Sequence, residues 1–132
     1  MNAGTLVKTK EAAVDCPDES VAAILGACLR SLGFKVTEGK ISEATLAVWA
    51  ATETPPRIIF VGVAGDETAV SQRLMAIQKI IGPFPMTFIK LVAIVTSGEE
   101  RAIANKARIN TLFVWEISAE KISAILNQRR GV

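Results

Sequence analysis

The chain has 132 residues, 50% of them hydrophobic and 21% charged, with a net charge of +2 and neither histidine nor tyrosine. This length suits a single domain over residues 1–132, with a core of about 10–128, and needs no disulfide or metal to bury a core. The missing histidines exclude Ser-His-Asp and Cys-His triads, histidine zinc sites and imidazole acid–base chemistry, and Cys16 and Cys28 alone cannot complete a thiolate zinc site.

The charge is too nearly balanced to mark a nucleic-acid binder, and the adjacent pair Arg129–Arg130 reads as a solvated tail. Two cysteines flanking a helix start do not make a secreted disulfide framework. No basic, then apolar, leader follows Met1, so a cytoplasmic location is expected. The most apolar window, Ile80 to Val95, contains Pro83, Pro85 and Lys90. It therefore reads as a helix end, a proline loop and a buried strand, without membrane insertion.

The predicted elements alternate. A weak first strand covers Lys10 to Asp15. A helix starts near Pro17-Asp18-Glu19-Ser20, capped by Asp18 or Ser20. It turns Val21, Leu25, Cys28, Leu29 and Leu32 inward and stops at Gly33. Phe34 to Thr37 alternates as a short strand. Ser42 caps a second helix to about Ala51, with Leu46 and Trp49 or Val48 inward. Ile58 to Val61 is continuously apolar, as a central parallel strand is.

Ala64 to Glu67 forms a loop before a third helix whose Val70, Leu74, Ile77 and Ile81 recur at helical spacing. Leu91 to Val95 is a second buried strand. Thr96-Ser97-Gly98 turns into a short helix over Glu99 to Ala107. Thr111 to Trp115 is the last strand, and Ser118 caps the last helix, with Ile122, Ile125 and Leu126 inward. This alternation predicts an α/β fold: a doubly wound five-stranded parallel sheet in a three-layer, flavodoxin-like sandwich. Ligands of such sheets bind at the carboxyl ends of the strands, which directs attention to 15–19, 62–66, Thr96-Ser97 and Trp115-Glu116.

Several phrases, in order, resemble the receiver domain of bacterial response regulators. Leu29-Arg30-Ser31-Leu32-Gly33-Phe34-Lys35-Val36 is similar to its first helix passing into its second strand. Pro56-Arg57-Ile58-Ile59-Phe60-Val61-Gly62 is similar to its third strand, and Val92-Ala93-Ile94-Val95-Thr96-Ser97 to its fourth strand with the switch hydroxyl. Ser42 to Leu46, 105–107 with 112–114, and Ile117 to Ile122 add shorter likenesses.

The resemblance implies a two-component signalling module of receiver-like fold. It also implies a phospho-acceptor aspartate at the end of the third strand, a lysine at the end of the fifth and an acidic cluster holding Mg²⁺ after the first. Here those positions read Gly62, Trp115 and the stretch Asp15-Cys16-Pro17-Asp18-Glu19. Phosphoryl transfer rests on positioning and charge neutralisation. Without acceptor and lysine, the chain resembles a degenerate pseudo-receiver outside phosphorelay chemistry. No enzymatic activity and no cofactor are expected, although weak Mg²⁺ binding at Asp15 and Asp18 stays open.

The degenerate pocket is expected at Asp15, Asp18, Gly62, Thr96 and Trp115. Trp115 can serve as a partner anchor or as a plug for the emptied pocket. Thr96 reads as a switch hydroxyl or a local turn residue, Asp66 as a helix cap or a displaced acceptor, and Cys16 as a non-catalytic neighbour of the pocket. Trp115, Glu116, Phe84 and Phe88 form the expected partner surface, for a signalling kinase, an output domain or a second copy. An alternative function is a small-ligand sensor that takes a nucleotide or metabolite at the strand ends.

Overall fold

A computed structural model describes residues 10–42, 44–45, 47–48, 56–63, 66–81 and 89–127. Five strands form one sheet: β1 (Lys10–Asp15), β2 (Phe34–Glu38), β3 (Ile58–Gly62), β4 (Lys90–Val95) and β5 (Asn110–Phe113). Their order is β2-β1-β3-β4-β5, and every pairing is parallel. The described helices are α1 (Glu19–Ser31), α2 (Glu67–Ile81), α3 (Gly98–Lys106) and α4 (Ala119–Leu126). Between β2 and β3, Ala44, Thr45, Ala47 and Val48 are also helical. The expected doubly wound α/β sandwich is the observed architecture.

The strands divide their side chains between two cores, because successive residues of a strand point to opposite faces. On one face Ala12, Val14, Phe34, Ile58, Phe60, Val92, Ile94 and Leu112 pack under Leu25 and Leu29 of α1 and Ile122 and Ile125 of α4. On the other, Ala13, Ile59, Val61, Leu91, Ala93 and Val95 pack under Val70, Leu74 and Ile77 of α2 and Ala104 of α3. All five residues of β3 are buried, which is why that segment is apolar without alternation.

Short-range chemistry sets the helix ends. Asp18 caps α1, its Oδ1 accepting from Ser20 N at 2.9 Å and Val21 N at 3.2 Å. Gly33 follows α1 at φ +89°, the left-handed conformation that glycine takes most easily. Arg108 takes the same position after α3 at φ 59°. The Arg108 and Ile109 amides return to the carbonyls of Asn105 and Ala104, both at 3.0 Å, closing a Schellman motif without glycine. Ser97 caps α3 and Ser118 caps α4 through Glu100 N and Lys121 N.

Most boundaries lie within one residue of expectation, and the last strand departs further. β5 begins one residue earlier and ends at Phe113, and Val114–Glu116 form a 3₁₀ turn. The Glu116 carboxylate reaches back to accept from Phe113 N at 3.0 Å, which turns the chain out of the ladder. Among the described residues no helix is long and apolar enough to cross a membrane.

Candidate functional site

Among the described residues, the buried charged side chains are Asp15 and Glu100, and both lie at the carboxyl edge of the sheet. An unpaired buried carboxylate is strongly unfavourable, so each is held by partners.

Asp15 ends β1 and is 6% exposed. Its Oδ2 accepts from the amide of Ile41 at 2.9 Å. Its Oδ1 lies 2.6 Å from an Nη of Arg73, which reaches over from α2, and the same nitrogen donates to the Asp15 carbonyl at 3.0 Å. Arg73 Nε donates to the Gly62 carbonyl at 2.8 Å. One planar guanidinium thus gathers three oxygens from the ends of β1 and β3, the fixed-fork recognition that arginine makes and lysine does not.

Gly62 is the last residue of β3 and is buried. A Cβ there would lie 2.5 Å from Cys16 Sγ and 3.2 Å from Cys16 Cα and Cβ. Cys16 therefore occupies the space that a side chain at position 62 would need. Burial pushes the Cys16 thiol above its ordinary value of 9.0, with a hydrogen bond from the Asp18 backbone and the charge of Arg73 pulling the other way. The neutral thiol dominates at neutral pH, and a thiol is a poor nucleophile.

In a Cys28→Ser background, iodoacetamide at pH 7.5 is expected to alkylate Cys16 roughly tenfold more slowly than the unfolded chain, measured by intact mass over time. The sign for stability follows from linkage. The folded state holds the thiol proton more tightly than the unfolded state. Its stabilising contribution is complete below pH 9.0 and is lost as the pH rises from there through the raised folded value.

Glu100, in the first turn of α3, has Oε1 2.7 Å from Thr96 N and 3.0 Å from Thr96 Oγ1, both donating to it. The Thr96 hydroxyl is thus committed within its own turn. Asp18 and Asp66 are helix caps, Asp66 Oδ1 accepting from Ala69 N at 2.9 Å. Trp115 does not plug the space beside Gly62. It is 68% exposed and stacks on Phe113 with centroids 4.5 Å apart and planes at 9°. Arg101 of α3 sits 5.0 Å from the Phe113 ring centroid. Phe84 and Phe88 lie outside the described residues.

The structure therefore brings Asp15 and Gly62 together and holds Thr96 separately, on Glu100. Arg73 and Glu100 are additions to the residues expected from sequence. Glu100 had a local signal, since Ser97 and Glu100 stand at capping-box spacing. Arg73 had only its place beside the inward-facing Val70 and Leu74.

The Mg²⁺ implied by the resemblance does not fit these residues. That ion asks for near-octahedral oxygens at about 2.0–2.1 Å, one or two of them carboxylates. Here Asp15 Oδ1 already faces a guanidinium and Oδ2 the Ile41 amide, Asp18 is spent on α1, and among the described residues no group of three or more Cys, Asp or Glu side chains converges. An open cleft of about 390 Å³ lies alongside, lined by Asp15, Cys16, Pro17, Gly39, Lys40 and Arg73.

No protein-family model matches the chain. Porphobilinogen deaminase from Wolbachia sp. subsp. Drosophila simulans (strain wRi) is 43% identical over 65 residues, which is 48% of this chain and 22% of that protein. The chain thus spans about a fifth of that curated relative's length. Solved structures are similar over almost the whole chain. A CheY-like protein (tadZ) from Pseudomonas aeruginosa PAO1 has a TM-score of 0.67 at 15% identity, covering 89% of this chain and 97% of that one. A response regulator from Thermotoga maritima has 0.63 at 17%, covering 92% and 100%. A response regulator protein from Burkholderia pseudomallei, with a phosphorylated aspartic acid and a calcium ion, has 0.59 at 18%, covering 90% and 67%. At these identities the likeness establishes architecture, and the chain has the fold of CheY-like response-regulator receiver domains.

Proposed function

We propose that this chain is a non-catalytic, receiver-like regulatory module that acts by protein–protein contact and not by aspartate phosphorylation. The observation that carries the reading is the packing at Gly62. The residue at the end of β3, where a receiver would carry its acceptor, has no side chain, and Cys16 stands in the space for one. The neighbouring carboxylate, Asp15, is held by Arg73 and the Ile41 amide, so it is not presented as a substitute acceptor. The Burkholderia neighbour carries a phosphorylated aspartic acid; this chain is read as having the same frame without that chemistry.

A signal must then leave through a surface. The exposed Trp115, stacked on Phe113 with Arg101 on that ring, presents residue types enriched where binding energy concentrates. Glu116 shapes the same turn through its bond to Phe113 N. The protein partner would be a kinase, an output domain or a second copy of the chain.

Incubation with acetyl phosphate and Mg²⁺, followed by intact mass, tests the reading. The mass is expected to stay unchanged. A stable phospho-adduct mapped to Asp15 or Asp66 would overturn it.

A further inference from the structure

We propose that the Arg73 guanidinium is the resident cation of the three-oxygen cluster formed by Asp15 Oδ1, the Asp15 carbonyl and the Gly62 carbonyl. In that role it excludes divalent metal ions, and its removal uncovers a divalent-cation site on those same oxygens. The inference goes beyond partner docking, and its failure would leave that reading intact.

Three acceptors from two strands converge on one cation at 2.6, 3.0 and 2.8 Å. The acceptors comprise one carboxylate and two carbonyls, hard oxygen donors of the kind that bind Mg²⁺ and Ca²⁺. A metal ion touching Asp15 Oδ1 would stand within bonding distance of an oxygen that already contacts a guanidinium nitrogen. Two cations cannot share that space, and Coulomb repulsion between them is steep at such separations. The other Asp15 oxygen is spent on a buried amide, so the carboxylate has no free side to offer. Lys40 lines the same cleft and adds further positive charge.

Access is not the obstacle. The cleft beside Asp15 and Arg73 is open and large enough for a hydrated ion. The side chain of Arg73 is 27% exposed, so ions in solution reach it. Exclusion therefore rests on occupancy by an internal cation, which comes from α2 and is supplied on folding. The cluster is in this way independent of metal concentration, and the joint between β1, β3 and α2 stays closed without a ligand.

Two titrations with MgCl₂ test this, each against NaCl at matched ionic strength and read by thermal unfolding and backbone amide shifts. In the wild-type chain, 10 mM MgCl₂ is expected to move the Tm by less than about 1 °C. No saturable shift is expected at Asp15, Cys16 or Gly62. In Arg73→Ala, the Tm without metal falls, and 10 mM MgCl₂ restores roughly 3–6 °C, the size of effect that ligand at several times its Kd produces. Saturable shifts then appear at Asp15 and Gly62. Adding Asp15→Asn to that variant abolishes the response. Should Arg73→Ala not fold, Arg73→Gln removes the charge while keeping a donor near the Gly62 carbonyl, and carries the same test. Saturable Mg²⁺ binding at Asp15 in the wild-type chain would overturn the proposal, and so would a folded Arg73 variant with no Mg²⁺ response.

Discussion

Gly62→Asp, which places a carboxylate at the end of β3, is expected to destabilise the chain by about 3–5 kcal/mol. Overpacking a filled core commonly costs about 1–3 kcal/mol, and a Cβ placed 2.5 Å from the Cys16 sulfur and 3.2 Å from its Cα is an extreme instance. The new carboxylate adds desolvation, and its nearest cation, Arg73, is already committed to Asp15. Native domains are stable by only about 5–15 kcal/mol, so a loss of this size removes much of the margin.

Chemical denaturation would measure this loss, with Gly62→Ala as the uncharged comparison at about 2 kcal/mol. Cys16→Ala should rescue Gly62→Ala in part. It removes the sulfur contact and leaves the 3.2 Å approach to the Cys16 Cα, which is backbone. A double-mutant cycle is therefore expected to show favourable coupling of about 1 kcal/mol or more. If Gly62→Asp melts like the wild-type chain, the packing account of Gly62 is wrong.

Asp15→Ala is the second large effect, about 3 kcal/mol. Removing one partner of a buried, hydrogen-bonded ion pair typically costs about 3–5 kcal/mol, and the partial exposure of Arg73 to solvent, 27%, places this pair at the lower end. The loss has two physical parts. The buried Ile41 amide loses its acceptor, and the Arg73 fork keeps its carbonyl partners without a counter-charge. Asp15→Asn should cost less, because the amide oxygen can still accept from Ile41 N while the charge is gone. Urea melts distinguish the two substitutions. Equal midpoints for Asp15→Ala and the wild-type chain would show that the pair contributes nothing to stability.

Both predictions concern contacts that cross the fold, and the site as a whole divides along that line. Local patterning was sufficient for the frame. The unbroken apolar run of β3, the three- and four-residue spacing of Val70, Leu74 and Ile77, and the cap at Ser118 each depend on residues within one or two turns. For the same reason the glycine at position 62 was legible as a strand end, since it closes a strand that announces itself. The end of the last strand was not, because a side-chain bond from Glu116 to Phe113 N draws the chain into a turn where residue preferences alone extend it.

The sequence by itself determined a doubly wound α/β chain with receiver-like phrases and a glycine, Gly62, at the end of its third strand. Only the tertiary structure decided what stands beside that glycine. Cys16 lies 46 positions from Gly62 and Arg73 lies 58 positions from Asp15. Periodicity carries no information at such separations, because the order in which parallel strands pair, and not spacing along the chain, brings those atoms together.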